Sequence, residues 1–485
     1  AEYSSDANPS ETPSAFTREI PLNFGAAYQI RPGVSVSGHW LYGSELGVQL
    51  SMALNPKEPP RGSGLDPAPP PVVPRAGDLG WSSGQVQDGS ALRRQVETAL
   101  EGQGVGLHGF ALEGDTARLE IENRTYPRNA QAIGRAARSL TGVLPPRIER
   151  LIIAPVTNGV PGAQVEIARG DMEALEHDLQ NTWQSYKRAH ITSAGGTVPA
   201  RAGRYPAFDW SLKPYLTPSF FDPDEPVRAD LGAELAARFE PARGLEFSGA
   251  VRKKVVGNLD ESTRVSDSVL PRVRSDFNIY DREGDPAITH LTGAYFFKPG
   301  RNLYGRFTAG YLEEMFGGVS GEILWKPVDS RFAIGVEANY VKQRDFDQLW
   351  GFQDYDVATG HVSAYWDLGN GFHTQLDVGR YLAGDWGATL SVDREFENGW
   401  RVGAFATKTD VSASEFGEGS FDKGIRITIP ISWVSGQPTR DDYTTTIRPV
   451  TRDGGARLEV EERLYDRVRP LHKPELSDGW GRFWR

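Results

Sequence analysis

Apolar and polar residues alternate at period two through long stretches of the second half of the chain. Val227, Ala229, Leu231, Ala233, Leu235, Ala237 and Phe239 are apolar, with Arg228, Asp230, Gly232, Glu234 and Arg238 standing between them. Phe332, Ile334, Val336, Ala338 and Tyr340 alternate in the same way with Arg331, Ala333, Gly335, Glu337 and Asn339. Ile425, Ile427, Ile429, Ile431 and Trp433 alternate with Arg426, Thr428, Pro430 and Ser432. This is the pattern of strands with one apolar and one polar face. The runs are about 9–13 residues long, enough for a tilted strand to cross a bilayer and more than the ~5–6 residues of a soluble strand. The polar set is small or charged, as a wet lumen requires, and Trp210, Trp325, Trp366, Trp386, Trp400 and Trp433 sit at strand ends as an aromatic girdle would. A soluble sandwich also alternates, but these three features favour a barrel with lipid outside.

Twelve strands are predicted, at 208–217, 226–239, 244–256, 287–297, 302–312, 318–326, 330–343, 357–368, 371–382, 385–395, 399–410 and 424–434. Val227, Leu231, Phe332, Val336, Ile427 and Ile431 are expected to face lipid. Short connections alternate with longer ones at 257–286, 344–356 and 411–423, which orients a bacterial barrel with its short turns in the periplasm. Three more strands are read at 22–30, 34–42 and 46–54, after an external segment 1–19. Their placement makes them the last staves of a barrel that begins upstream of this sequence. Residues 55–88 read as a Pro/Gly linker, with a small periplasmic α/β domain over 89–200. In that domain Leu92, Val96 and Leu100, then Ile133, Ala136, Ala137 and Leu140, fall on helical spacing. Ala117–Glu122, Leu151–Pro155 and Ala163–Ile167 read as strands, and Met172–Ala189 as a further helix. The C-terminal barrel then spans 205–435, and 436–485 is a charged periplasmic tail whose Trp480, Phe483 and Trp484 are expected to dock on another surface. The fold class is thus mainly β: a transmembrane antiparallel barrel of about twelve strands, three N-terminal barrel strands and a small α/β domain.

Composition adds exclusions. The 485 residues carry 53 Lys and Arg against 64 Asp and Glu, a net charge of −11, which speaks against a nucleic-acid partner. With no cysteine, disulfides, thiol nucleophiles and Cys-ligated zinc are excluded. Gly104–Gly109 matches G-x-G-x-x-G but follows a helix and opens none, so it fails the context of a dinucleotide site. The eight histidines show no H-E-x-x-H spacing, and His39, His290, His361 and His373 fall one to a strand. Asp377 and Asp393 could approach across neighbouring strands as a glycosidase pair would, yet a polar lumen brings carboxylates together by default. Asn123-Arg124-Thr125 fits a glycosylation acceptor and means little in a bacterium. No cofactor, no metal and no catalytic residue is expected. Glu337, Asn339, Asp377, Arg401 and Arg426 are expected to line the lumen and could contact a hydrated glycan.

Several blocks carry a family resemblance. Pro21–Tyr28, the strand pair around Trp40–Gly47, Leu50–Pro60, Asn123-Arg124-Thr125-Tyr126, Ala207–Pro218, Asp281-Arg282-Glu283 and the tail Pro449–Trp484 resemble the YjbH/GfcD-like outer-membrane proteins. The resemblance implies a non-enzymatic role in exopolysaccharide or capsule export and assembly, as an outer-membrane barrel with a periplasmic domain and tail. It implies as partners the upstream part of the same precursor or another barrel chain, periplasmic biosynthesis proteins, the polysaccharide and outer-membrane lipid. Members are longer at the front. The alternative reading is a plugged barrel that anchors an envelope assembly through its periplasmic domain.

Overall fold

Alternation becomes strand almost everywhere it was read, and the sequence closes into three antiparallel or mixed sheets. The computed structural model describes residues 1–5, 17–53, 55–62, 65–75, 89–195, 198–200, 203–220, 225, 227–263, 265–417, 420–449 and 451–485. Contacts divide the chain into two units, residues 1–64 with 433–436 and the remainder.

In the first unit β1 (Glu2–Tyr3), β2 (Leu22–Arg31), β3 (Val34–Leu41) and β4 (Glu45–Met52) pair in that order. The three expected strands are present, with the third ending at Met52; Leu54 and residues 6–16 of the expected external segment lie outside the described residues. The register Phe24↔Trp40↔Leu46 puts Phe24, Tyr28, Val36, Trp40, Val48 and Leu50 on one face, with Gln29, Ser35, Ser37 and Gln49 on the other. Among the described residues β1 covers only Asn23 and Leu22 of the outer edge of β2, and β4 pairs on one side only.

The second unit opens with a strap, residues 65–75, that falls within the expected linker but is tied down. Arg135 donates to the Pro67 carbonyl at 2.6 Å, Gln131 to Asp66 at 2.9 Å and the Val73 N–H to Thr141 at 2.9 Å. Residues 76–88 of that linker lie outside the described residues. The α/β domain follows as α1 (Gly89–Glu101), β5 (Val105–Glu113), β6 (Thr116–Asn123), α2 (Asn129–Val143), β7 (Arg150–Thr157), the short β8 (Val160–Pro161) and β9 (Ala163–Ala168). It ends with α3 (Arg169–Leu175), α4 (Asn181–Arg188) and β10 (His190–Ser193). The sheet order is β10-β9-β7-β6-β5, with β6 and β7 parallel across α2. Leu92, Val96, Leu100, Ile133, Ala137 and Leu140 are buried against the sheet, as their helical spacing required. The helix expected over 172–189 is two helices, because Asp178 turns the chain by accepting from the Gln180 N–H at 2.6 Å. The glycine motif runs from the turn at Gly104, which has a φ of +68°, into β5, where a side chain on Gly106 would strike Arg124 and one on Gly109 would press on the Pro199 carbonyl at 3.0 Å. Its glycines serve close packing.

Thirteen strands form the barrel sheet: β11 (Ala207–Phe220), β12 (Val227–Ala242), β13 (Leu245–Gly257), β14 (Ala287–Gly300), β15 (Leu303–Tyr311), β16 (Phe316–Trp325) and β17 (Phe332–Arg344). They continue as β18 (Phe352–Gly369), β19 (Phe372–Arg380), β20 (Trp386–Glu395), β21 (Arg401–Thr409), β22 (Asp422–Pro430) and β23 (Asp442–Ile447). Helix α5 (Phe277–Glu283) sits in the longest loop and α6 (Ala413–Phe416) in another; α7 (Ile431–Ser435) leads out of β22. Each strand pairs antiparallel with the next. Two expectations are corrected. The count is thirteen, not twelve, because β23 was read as tail: its Thr444, Thr445 and Thr446 give both faces the same mild polarity and erase the alternation. Ile431 and Trp433 are in the helical turn α7, so the strand expected over 424–434 ends at Pro430 and Ile431 is no part of the wall. Val227, Leu231 and Val336 stand outward and exposed, and Phe332 and Ile427 lie on the same outer face.

Candidate functional site in the barrel interior

The tail expected on the periplasmic side runs instead through the barrel, and this is the largest correction. At the long-loop end Asp453 accepts from the N–H groups of Arg274 and Ser275 at 2.8 and 2.9 Å. There the Gly455 N–H donates to Asp385, and the Leu382 N–H to the Ala456 carbonyl. Arg457 then meets Asp377 at 2.9 Å, and Arg463 forks onto Glu337 at 2.8 and 3.2 Å. The Leu464 N–H donates to Glu322 at 3.1 Å as α8 (Leu464–Val468) begins, and Tyr465 stacks on Tyr365 with centroids 3.9 Å apart. Glu462 takes Arg238 at 2.8 Å on the opposite wall. At the short-turn end His472 pairs with the Tyr304 hydroxyl at 2.9 Å and the Lys473 N–H donates to the Val328 carbonyl. The partners of Arg457–Tyr465 and His472 lie on the inner faces of strands from β12 to β19, and those of Asp453–Ala456 and Lys473 in the loops and turns at the two ends, so residues 453–472 occupy the interior from one end to the other.

Charge complementarity holds the segment. Glu337 gathers Arg463, Arg306 at 3.6 Å and Arg457 at 3.8 Å, and Arg306 also meets Glu322 at 3.1 Å. A carboxylate buried among guanidiniums is stable only while the partners stay in place. At the mouth, Arg274 forks onto Glu313 at 2.8 and 2.9 Å. On α5, burial first, then Glu314 and Asp230, push the Asp281 carboxyl up to about 7. In the opposite turn burial pushes the Lys326 ammonium down to about 8.

Beyond the short turns the tail enters the α/β domain. Helix α9 (Lys473–Asp478) leads to Trp480 and Trp484, whose indole N–H groups both donate to Ser185 at 3.1 Å. Arg138 donates to the Trp484 carbonyl at 2.6 Å, and a side chain on Gly134 would stand 1.8 Å from the Phe483 carbonyl. The expected aromatic docking surface is therefore this chain's own α2 and α4. The barrel's turns touch the same domain: Arg243 meets Glu120 at 2.6 Å, Arg204 bridges Glu122 and Glu240, and Lys298 donates to the Pro161 and Ala194 carbonyls. Fully buried His108 joins Glu120 at 3.1 Å to the Tyr205 hydroxyl at 2.8 Å, and burial pushes that phenol up to about 12. The sequence offered no periodic signal for this junction, since His108 lies in the glycine-rich strand β5.

The five residues read as lumen-lining all project inward, but they divide into two groups. Glu337, Asn339 and Asp377 are buried under the tail. Arg401 pairs with Asp442 at 2.9 Å and Arg426 reaches Asp393 at 3.6 Å, both on a side where water enters. Asp377 and Asp393 are each partnered by an arginine, which is not the arrangement of a free acid and base. His373, Glu395 and Glu475 bring ligand atoms within 4.8 Å of one another. Arg469 already fills that trio, at 2.8, 3.0 and 2.7 Å, with Arg128 on Glu395 at 2.8 Å.

Comparison with known proteins agrees with the resemblance: the exopolysaccharide biosynthesis family YjbH matches residues 1–470. The chain belongs to that family. The uncharacterized lipoprotein YjbH of Escherichia coli (strain K12) is 31% identical over 461 residues, 92% of this chain. The chain spans 64% of that relative's length. A Salmonella typhi OmpF porin solved with daunomycin is similar over 50% of this chain and 96% of its own, at 10% identity and a TM-score of 0.26. Within the family block Asn123–Tyr126, the Asn123 side chain accepts from the Tyr126 N–H at 2.8 Å and is buried. It shapes a turn and is no exposed glycan acceptor.

Proposed function

We propose that this protein is an outer-membrane barrel that supports the export or assembly of an extracellular polysaccharide without catalysing a reaction. In this reading the barrel is stoppered by its own C-terminal segment and anchors the α/β domain on the periplasmic side, where biosynthesis proteins and the nascent polymer would meet it. The observation that carries it is the path of residues 453–472 through the interior and on into α2 and α4. The apolar face of β2–β4, with unpaired strand edges beside it, fits a wall continued by strands of the same precursor or of another barrel chain. A sheet edge left open along whole strands in hydrocarbon costs several kcal/mol for each unsatisfied backbone group.

Planar-bilayer recording tests the stopper. The protein should show little steady conductance, and Arg457→Ala with Arg463→Ala should open it. A large ohmic conductance in the unaltered protein would overturn the plugged reading in favour of an open export channel. That second reading draws on the wet side of the interior, where Arg426, Asp442 and Thr444 are exposed.

A further inference from the structure

The barrel wall has a seam. Sheet order runs from β11 to β23, and among the described residues no ladder joins these two end strands. They are nonetheless near, because Lys213 of β11 meets Asp441, just before β23, at 3.2 Å. An odd number of strands, each antiparallel to the last, leaves the first and thirteenth running in the same direction. Closure there would be parallel, the weaker pairing. Two further features weaken it. β23 has 6 residues against the 14 of β11. β11 contains Pro214 and Pro218 yet pairs with β12 over all its residues without a shift. Proline nitrogens cannot donate, so both must point away from β12, to the free edge. The Lys213–Asp441 contact places those prolines along the stretch that β23 faces.

Among the described residues the interior is also wettest there. The inner faces of β15–β18 are buried, as at Arg306, Glu322, Glu337 and Ser363, whereas Asp209, Lys213, Thr217, Arg426, Thr444 and Thr446 are exposed. A polar half-channel thus lies against a wall that is not stitched shut, with Trp210, Leu212 and Leu216 exposed on the outer side of β11.

We propose that β11 and β23 form a lateral portal through which an amphiphile passes, its polar head in this half-channel and its apolar tail in the bilayer. The proposal rests on the membrane reading above. The tail fills the interior along β15–β18, and the half-channel it leaves lies beside the seam, where a lateral path is open to a lipid-linked or lipid-like ligand.

The test uses the full chain in phosphatidylcholine vesicles, and its lack of cysteine makes designed disulfides free of background. Thr217→Cys with Thr446→Cys, and separately Tyr215→Cys with Thr444→Cys, should cross-link within one chain on oxidation. A benzophenone side chain at Ser211, facing the half-channel, should then label lipid on illumination. The same probe at Gln375, on the inner face of β19, should not, and at Leu212, on the outer face, should do so always. Oxidising a seam pair should cut the Ser211 adduct by roughly tenfold, as expected of a gate held in one state. Lipid on Leu212 with none on Ser211, or a Ser211 adduct that the disulfide leaves unchanged, overturns the portal. Failure of both cysteine pairs to join within one chain overturns it too. No lipid on Leu212 overturns the membrane placement itself and is read separately.

Discussion

The two sides of the barrel interior are built from the same kinds of residue and meet different fates. On β15–β18, Arg306, Glu322, Glu337 and Asn339 face inward and are almost wholly covered. On β11 and β21–β23, Lys213, Arg401, Arg426, Thr444 and Thr446 also face inward, and water reaches them. The difference is the tail, which lies against one side and leaves the other open. Alternation encodes which residues point inward; it does not encode whether the inside is filled. That depends on a remote segment whose Arg457, Arg463 and Arg469 answer the carboxylates of the wall.

The largest effect should come from cutting that answer. Glu337→Leu leaves Arg306, Arg457 and Arg463 without their common anion, and removing one partner of a buried ion pair costs about 3–5 kcal/mol. Denaturant unfolding in micelles should show this loss, and the tail should become sensitive to protease. Asp442→Leu, on the open side, should change stability little. Equal losses at the two positions would break the comparison.

A second contrast sets the outer face against the wet inner one. Arginine at Val336 should cost about 2–4 kcal/mol near the midplane of a bilayer, whereas Thr444→Arg should be tolerated. Glu337→Arg is no inner control, because it would add a fourth guanidinium to three. If refolding yields into vesicles fall equally for Val336→Arg and Thr444→Arg, the assignment of inside and outside is wrong.

Gly134→Ala sharpens the far end of the same device. Its new methyl would meet the Phe483 backbone, which cannot turn aside, and overpacking of this kind costs about 1–3 kcal/mol. The C-terminal residues should leave α2 and be cut by carboxypeptidase, while strand content by circular dichroism stays unchanged.

Legibility followed periodicity. Strands such as β12 and β17 announce themselves through uninterrupted alternation, and α1 and α2 through their helical spacing. β23 was hidden because threonine suits either face. β5 was hidden because glycines at 106 and 109 interrupt its alternation, and their reason shows only when Arg124 and Pro199 are seen packed against them. The interior site was half legible: five inward residues could be named from the pattern, but not that three lie under the tail. A tail of mixed charge, Arg452–Arg469, reads as solvated when its partners are scattered along the wall from Arg238 to Glu395. The clue was available in the inward carboxylates Glu322, Glu337 and Asp377, which need cations from elsewhere.

The mouth of the barrel offers a pH handle. The folded protein holds Asp281 at about 7, above its ordinary value of 3.8, through burial and the nearby Glu314, Asp230 and Asp260, which outweigh Lys254. Between those values the folded form binds the proton and the unfolded form does not. Its contribution to stability is therefore full below about pH 4 and falls as pH rises to about 7. Hydrogen exchange in the 257–286 loop should quicken over that interval, and Asp281→Asn should flatten the slope. Unchanged exchange in the variant would place the titration elsewhere.

The smallest effect belongs to the open side, and its smallness is the point. Arg426 lies 3.6 Å from Asp393, and both side chains keep a substantial part of their surface in water. An ion pair so hydrated contributes about 0–1 kcal/mol, because solvent already stabilises each charge and salt screens the attraction. Arg426→Gln should leave unfolding within that margin, and within less at high salt. Through the portal or any residual pore, however, the substitution removes one positive charge from a polar strip that also carries Lys213 and Arg401. Binding of an anionic amphiphile at low salt should weaken while a neutral one is unaffected. A stability loss comparable with that of Glu337→Leu would mean that this side of the lumen is as closed as the other, and the contrast between them would be gone.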